Sequence, residues 1–219
     1  WIIPFRTGRR RKAWNKNVIA LGLASGFIEP LESTSIHLTL SAVTRLVQFF
    51  PFEGISQAAV DRYNHVSRQE LQHVRDFVIL HYKATHRTDT PFWERCRAMN
   101  IPESLARKID LFRGKGRVFR EGRELFATTS WVSVCLGQHI VPQDYEPAVD
   151  ALDEERVAAA LEQMRRDYLE VAARLPTHGD FLRHLAGSAP AAAPAPPAAA
   201  APTFSFASET PFDFSADPL

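Results

Sequence analysis

The chain has 219 residues, of which 45% are hydrophobic and 23% charged, with a formal net charge of +1 at pH 7. That balance is ordinary for a globular protein. It leaves room for one large or two small domains and lacks the positive charge of a general nucleic-acid binder. No apolar run reaches the length of a membrane span, and the chain opens on Trp1 without a signal-peptide pattern. The two cysteines, Cys96 and Cys135, have neither metal nor disulfide spacing, so reduced thiols and a cytoplasmic location are expected.

Taken in order, Trp1–Asn17 is basic. Arg6, Arg9, Arg10, Arg11, Lys12 and Lys16 occur there with no acid among them, which reads as a solvated turn at Gly8 leading into a strand. Val18–Leu21 is a short apolar run, followed by Gly22, Gly26 and Pro30. Glu32-Ser33-Thr34-Ser35 then precede Ile36, Leu40, Val43, Val47 and Phe50, an apolar repeat at helical spacing. Hydroxyl residues at that point are natural N-caps. The free amides of a helix start also favour an anion. This corner therefore combines a carboxylate, free amides and glycines that permit close approach.

Pro51–Gly54 breaks that helix, and Ser56–Val66 is helical by composition. Ser67-x-x-Glu70 has the form of a capping box and predicts a new helix start, with Leu71, Val74, Val78 and Tyr82 on one face. Thr90-Pro91 reads as the N-cap and first residue of a short helix over Phe92–Met99. Pro102 starts another helix, which Gly114 stops. Arg117–Trp131 is open between extended and helical structure. Asp153–Arg174 carries Val157, Leu161, Met164, Tyr168 and Val171 at helical spacing; Pro176 ends it, and a last short helix runs to about Leu185. From Gly187 the sequence turns to SAPAAAPAPPAAAAP, which cannot hold a packed core. The end, with Phe204, Phe206, Phe212 and Phe214 among acids and serines, reads as a disordered tail, with a docking peptide as the other reading.

GLASGFIEPLESTS (Gly22–Ser35) resembles the corner of flavin-dependent halogenases of the tryptophan-halogenase family. GRRRKAWNKN (Gly8–Asn17), VRDFVILHYKAT (Val74–Thr85), DTPFWERCRAMNIPESL (Asp89–Leu105) and FREGRELF…SWV…GQ (Phe119–Gln138) resemble that family's carboxy-terminal half, in order, so the likeness runs from about Gly8 to Leu185. Trp1-Ile2-Ile3-Pro4 has only one tryptophan of the family's Trp-x-Trp-x-Ile-Pro signature and is not that signature. The G-x-G-x-x-G turn that cradles a dinucleotide pyrophosphate is absent, and Gly114-Lys115-Gly116 does not supply it. The family's catalytic lysine is not located here either.

The resemblance implies a mainly α fold: a flavin-contacting strand–helix corner with a helical carboxy-terminal subdomain of an α/β FAD-dependent monooxygenase-like fold. The expected division is 1–50 for the end of the flavin module, 51–187 for a helical substrate-pocket subdomain and 188–219 for the tail. It implies an incomplete chain, inactive alone, of a FADH2-dependent enzyme that halogenates an electron-rich aromatic ring, indole-type or tryptophan, using oxygen and chloride or bromide. Glu32 is then the catalytic carboxylate, and the amides of Thr34 and Ser35 bind halide. Gly22, Gly26 and Pro30 border the flavin. His81, Tyr82, Thr88, Phe92, Trp93 and Arg97 fall at substrate positions, where Tyr82, Phe92 and Trp93 can sandwich a ring. Thr88 stands where tryptophan-specific members place a glutamate for the amino-acid end, which puts free tryptophan in question. A separate flavin reductase is the implied partner, a homodimer is allowed, and no metal is called for. Two other readings stay open: a helical partner-binding module or remnant without catalysis, and a flavin monooxygenase without halide chemistry.

Overall fold

A computed structural model describes residues 7–188. The basic amino-terminal stretch folds into two small antiparallel ladders. Strand β1 (Gly8–Arg9) pairs with β4 (Gly26–Phe27), and β2 (Trp14–Asn15) pairs with β3 (Val18–Ile19). Trp14 is 1% exposed and anchors the second ladder. Its indole N–H donates to the Lys16 carbonyl (2.9 Å), while its backbone exchanges two hydrogen bonds with the Asn64 side chain (2.9 and 2.8 Å). A 3-10 turn over Gly22–Ala24 precedes β4. The opening dipeptides Trp1-Ile2 and Ile3-Pro4 and the tail phenylalanines lie outside the described residues.

Among the described residues seven α-helices follow: α1 (Thr34–Gln48), α2 (Gln57–Lys83), α3 (Pro91–Ala98), α4 (Glu103–Lys115), α5 (Thr128–Gly137), α6 (Glu154–Arg174) and α7 (His178–Ser188). The mainly α expectation therefore holds. Of the described residues, 7–146 form one compact unit and 147–188 a second.

In the first unit α2 is the central post. Between Val74 and Leu80 it is buried on almost every side, so Phe77, Ile79 and Leu80 meet Leu105, Ile109 and Phe112 of α4 and Trp131 and Cys135 of α5. Phe77 stacks on Phe126 (3.8 Å between centroids) and meets Trp131 edge-on (4.9 Å). Burial of each such side chain contributes about 1.5–3 kcal/mol. Lys108 and Glu124 cross this core as a buried pair (2.6 Å), with Lys108 also donating to the Phe119 carbonyl (2.9 Å). That pair fixes the segment that the sequence left open: Arg117–Ala127 is irregular, and α5 begins at Thr128. A smaller cluster of Trp14, Val60 and Tyr63, joined by Leu46 and Phe49, seats α1 on the foot of α2.

Two local expectations are corrected, and one face lies where periodicity alone does not place it. No helix starts at Ser67, because α2 runs unbroken through it. The Ser67 hydroxyl and Glu70 carboxylate are used across helices, both accepting from Arg45 of α1 (2.8 and 2.7 Å). Gly114 lies inside α4; the stop is Gly116, whose φ of +68° supplies the left-handed cap and whose N–H bonds the Phe112 carbonyl. The apolar face of α1 is not its buried face. Ile36 is 73% and Val47 69% exposed, whereas Arg45 on the opposite side is buried.

In the second unit α6 starts one residue after Asp153, whose carboxylate accepts from the Arg156 N–H (2.8 Å) as an N-cap. Pairs within the helix, including Arg165 with Glu162 (2.8 Å) and Arg174 with Glu170, lace its polar side. Leu161, Met164 and Tyr168 are exposed.

Candidate functional site

The corner ahead of α1 differs from the hydroxyl-capped start that the sequence suggests. Ser33 occupies the N-cap position in the left-handed region (φ +53°) and makes no side-chain cap; its own N–H donates to the Pro30 carbonyl (2.8 Å). The amides of Thr34 and Ser35 are the first two of the helix and so have no acceptor within it. The Thr34 side chain is buried, and the Ser35 carbonyl accepts from the Thr39 hydroxyl (2.8 Å). The corner thus carries two free donors at the positive end of a helix.

Glu32 sits directly before those amides, partly exposed, with its Oε1 3.0 Å from Nε2 of His81 on α2. The other ring nitrogen, Nδ1, lies 2.8 Å from the Phe77 carbonyl, and the ring meets Phe77 edge-on. His81 is therefore placed against the carboxylate, a partnership that no sequence motif announces because the two residues are 49 apart.

Glu29 reaches the neighbouring residue on α2. Burial, and then the Glu29 carboxylate that the hydroxyl hydrogen-bonds, push the Tyr82 phenol up to about 12. Glu29 Oε2 is buried and has no hydrogen-bond partner among the described residues. The two acids of the corner thus engage consecutive residues of α2, one an imidazole and one a phenol whose pKa is raised.

Tyr82, Phe92 and Trp93 form one aromatic cluster. Tyr82 and Trp93 are near-parallel at 6.1 Å, Tyr82 meets Phe92 edge-on at 6.4 Å, and Phe92 meets Trp93 at 4.9 Å. These are separations of direct ring pairs, so the three rings pack on one another rather than walling an open slot. Arg87 lies over Trp93 (4.5 Å) and is clamped by both oxygens of Asp89 (2.9 and 2.6 Å). Thr88 is exposed between them and brings no charge. Arg97 is also exposed and lines a different cavity of about 670 Å³ with Lys83, His86, Arg113 and His139. That lining includes neither Glu32 nor Tyr82.

The corner glycines have reasons inside the chain. A Cβ at Gly26 would stand 2.9 Å from the Gly8 carbonyl oxygen, so the β1–β4 ladder itself needs glycine there. Gly22 has φ +55° and faces Thr39 at 3.3 Å. Neither leaves open space shaped for a ligand. Pro30 and Leu31, by contrast, are exposed and uncharged beside the free amides. An exposed apolar surface thus lies next to the first amides of α1. Among the described residues no group of His, Cys, Asp and Glu is arranged to hold a metal ion, and no helix is long and apolar enough to cross a membrane.

The sequence profile described as Tryptophan halogenase matches residues 1–154. The chain is 30% identical over 207 residues to the tryptophan 7-halogenase RebH of Lentzea aerocolonigenes, which covers 84% of this chain and 38% of that protein. Among solved structures it is similar to BrvH, a flavin-dependent halogenase from Brevundimonas sp. BAL3, at 46% identity and a TM-score of 0.78 over 84% of this chain and 37% of that one. It is also similar to Xcc4156, a flavin-dependent halogenase from Xanthomonas campestris, at 47% identity and a TM-score of 0.79 over 89% of this chain and 38% of that one. The chain therefore spans less than two fifths of the length of these relatives. The profile match over most of the chain, with the Glu32 corner and the helices behind it inside the matched residues, shows that this chain belongs to the tryptophan halogenase family.

Proposed function

We propose that this chain carries the aromatic-substitution half of a flavin-dependent halogenase, with Glu32 as the group that receives the ring proton. The observation that carries this reading is the placement of Glu32: a partly exposed carboxylate beside two free helix amides, held from behind by His81. The amides of Thr34 and Ser35 would hold a chloride or bromide ion, and the exposed Pro30–Leu31 surface would border the flavin ring. Reduced FAD, supplied by a separate reductase, would provide with oxygen the oxidising equivalent that turns halide into an electrophilic halogen. The ring carbon then bonds the halogen, its C–H electrons return to the ring, and the proton passes to Glu32. A carboxylate serves both steps, first opposing the positive charge on the ring and then accepting the proton.

The substrate reading follows from the α2–α3 loop. Thr88 is neutral, and Asp89 is already bound to Arg87, so this loop offers no unengaged carboxylate to an ammonium group. An indole lacking the amino-acid end suits this site better than tryptophan. The test uses the complete enzyme with reduced FAD, oxygen, bromide and equal amounts of indole and tryptophan. Halogenated indole is expected to predominate, and Glu32→Gln to lower product by on the order of a hundredfold while flavin oxidation continues. Predominant halotryptophan would overturn the substrate reading. Equal loss of product and flavin oxidation would overturn the role of Glu32.

A further inference from the structure

We propose that His81 is the positioning residue of Glu32 rather than a wall of the substrate pocket. The inference rests on reading Glu32 as the ring base. The Phe77 carbonyl can only accept, so Nδ1 of His81, 2.8 Å away, carries a hydrogen. The opposite nitrogen, Nε2, then faces Glu32 Oε1 at 3.0 Å. Two lone pairs at that distance repel, so one proton lies between them, shared between an imidazolium and a carboxylate or between a carboxylic acid and an imidazole.

The imidazole is in turn fixed at three points. Its backbone is in the middle of the last turns of α2, its Nδ1 is tied one turn back, and its ring sits edge-on to Phe77 (5.0 Å), itself 2% exposed in the core. A carboxylate on the loop before α1 has no such support of its own, since Ser33 beside it adopts a left-handed conformation without a side-chain cap. His81 thus transmits the rigidity of the core to one oxygen of Glu32 and leaves the other, Oε2, to meet the ring proton. The proton moves from ring carbon to Oε2, and the His81 contact stays in place through the step. Ring orientation of this kind is what an acid–base group requires of its support.

Two measurements test this. In the full chain, the 15N and 1H signals of the His81 ring report which nitrogens bear hydrogen. Nδ1 is expected to be protonated, and the Nε2 signal to move on Glu32→Gln. A ring whose signals ignore Glu32→Gln would overturn the pair whatever the enzyme does. In the complete enzyme, His81→Phe removes the donor, and His81→Gln keeps an amide at the same reach. His81→Phe is expected to lower kcat for halogenated product about tenfold, the scale of one charge-assisted hydrogen bond, with KM for the aromatic substrate nearly unchanged. His81→Gln should restore most of that loss. A raised KM at unchanged kcat, or no rescue by glutamine, would overturn the assignment. A native enzyme that forms no halogenated product at all would instead overturn the reading of Glu32 on which it rests.

Discussion

At Arg45 and at Glu32 the first long helix and its leading corner are tied to α2 by polar pairs of different kinds. Arg45 is buried and donates to Ser67, Ser41 and Glu70 at 2.8, 3.0 and 2.7 Å, while Ser41 gives its own hydrogen to the other oxygen of Glu70. The guanidinium also lies over the Tyr63 ring (5.6 Å). Nearly every polar atom of the cluster is engaged, so it holds one arrangement. At Glu32 the partner is an imidazole, the carboxylate is partly exposed, and Oε2 is left for another partner. One pair is satisfied and fastens helices; the other engages one carboxylate oxygen and leaves the second open. Burial and completeness, not the presence of a pair, separate a fastening from a site.

The largest effect expected from this contrast is on stability. Arg45→Met takes the donor away from Ser67 and from Glu70 Oε2, in a place that water reaches poorly, and leaves the carboxylate only the Ser41 hydroxyl and His37 at 3.4 Å. Unfolding by urea should show a loss of about 3 kcal/mol or more. Glu32→Gln should stay within about 0.5 kcal/mol of the native chain in the same measurement. Comparable losses in both would dissolve the distinction.

A smaller effect concerns the second acid of the corner. Tyr82 is pushed up to about 12 in the fold from an ordinary 10.0. Between those values the unfolded chain has lost the phenolic proton and the folded chain keeps it. The folded state then binds more protons, so stability falls as pH rises from about 10 toward 12. Tyr82→Phe removes this contribution and should flatten the alkaline decline in unfolding midpoint. The buried Tyr63, also raised above its usual value by desolvation, leaves a residual slope in the variant. A decline unchanged by Tyr82→Phe would mean that Glu29 does not hold the phenol.

Much of the fold was legible because helix periodicity and Pro91 at a first turn act within a few residues of themselves. Ser67-x-x-Glu70 misled for the opposite reason: the same two residue types serve Arg45, which lies 22 positions before Ser67. Periodicity showed that α1 has an apolar face but not what that face meets, and in this chain Ile36, Leu40 and Val47 are exposed. At the site, Glu32 was legible from its motif. His81 was placed among substrate positions by the family resemblance, and its contact with Glu32 follows from how the corner comes to rest against α2. Tyr82, Phe92 and Trp93 were legible as a group of rings, yet their mutual packing and the Arg87–Asp89 clamp over Trp93 depend on the loop between α2 and α3.

A hydrogen isotope effect measures directly whether Glu32 takes the proton from the ring. Halogenation of indole deuterated at the reacting carbon should be compared with ordinary indole in the complete enzyme and in its Glu32→Gln variant. If Glu32 is the base, proton loss becomes the slow step when it is replaced, and the ratio of rates for hydrogen over deuterium should rise well above that of the native enzyme. A variant that is much slower yet shows the native ratio would place Glu32 outside the proton transfer and contradict the account.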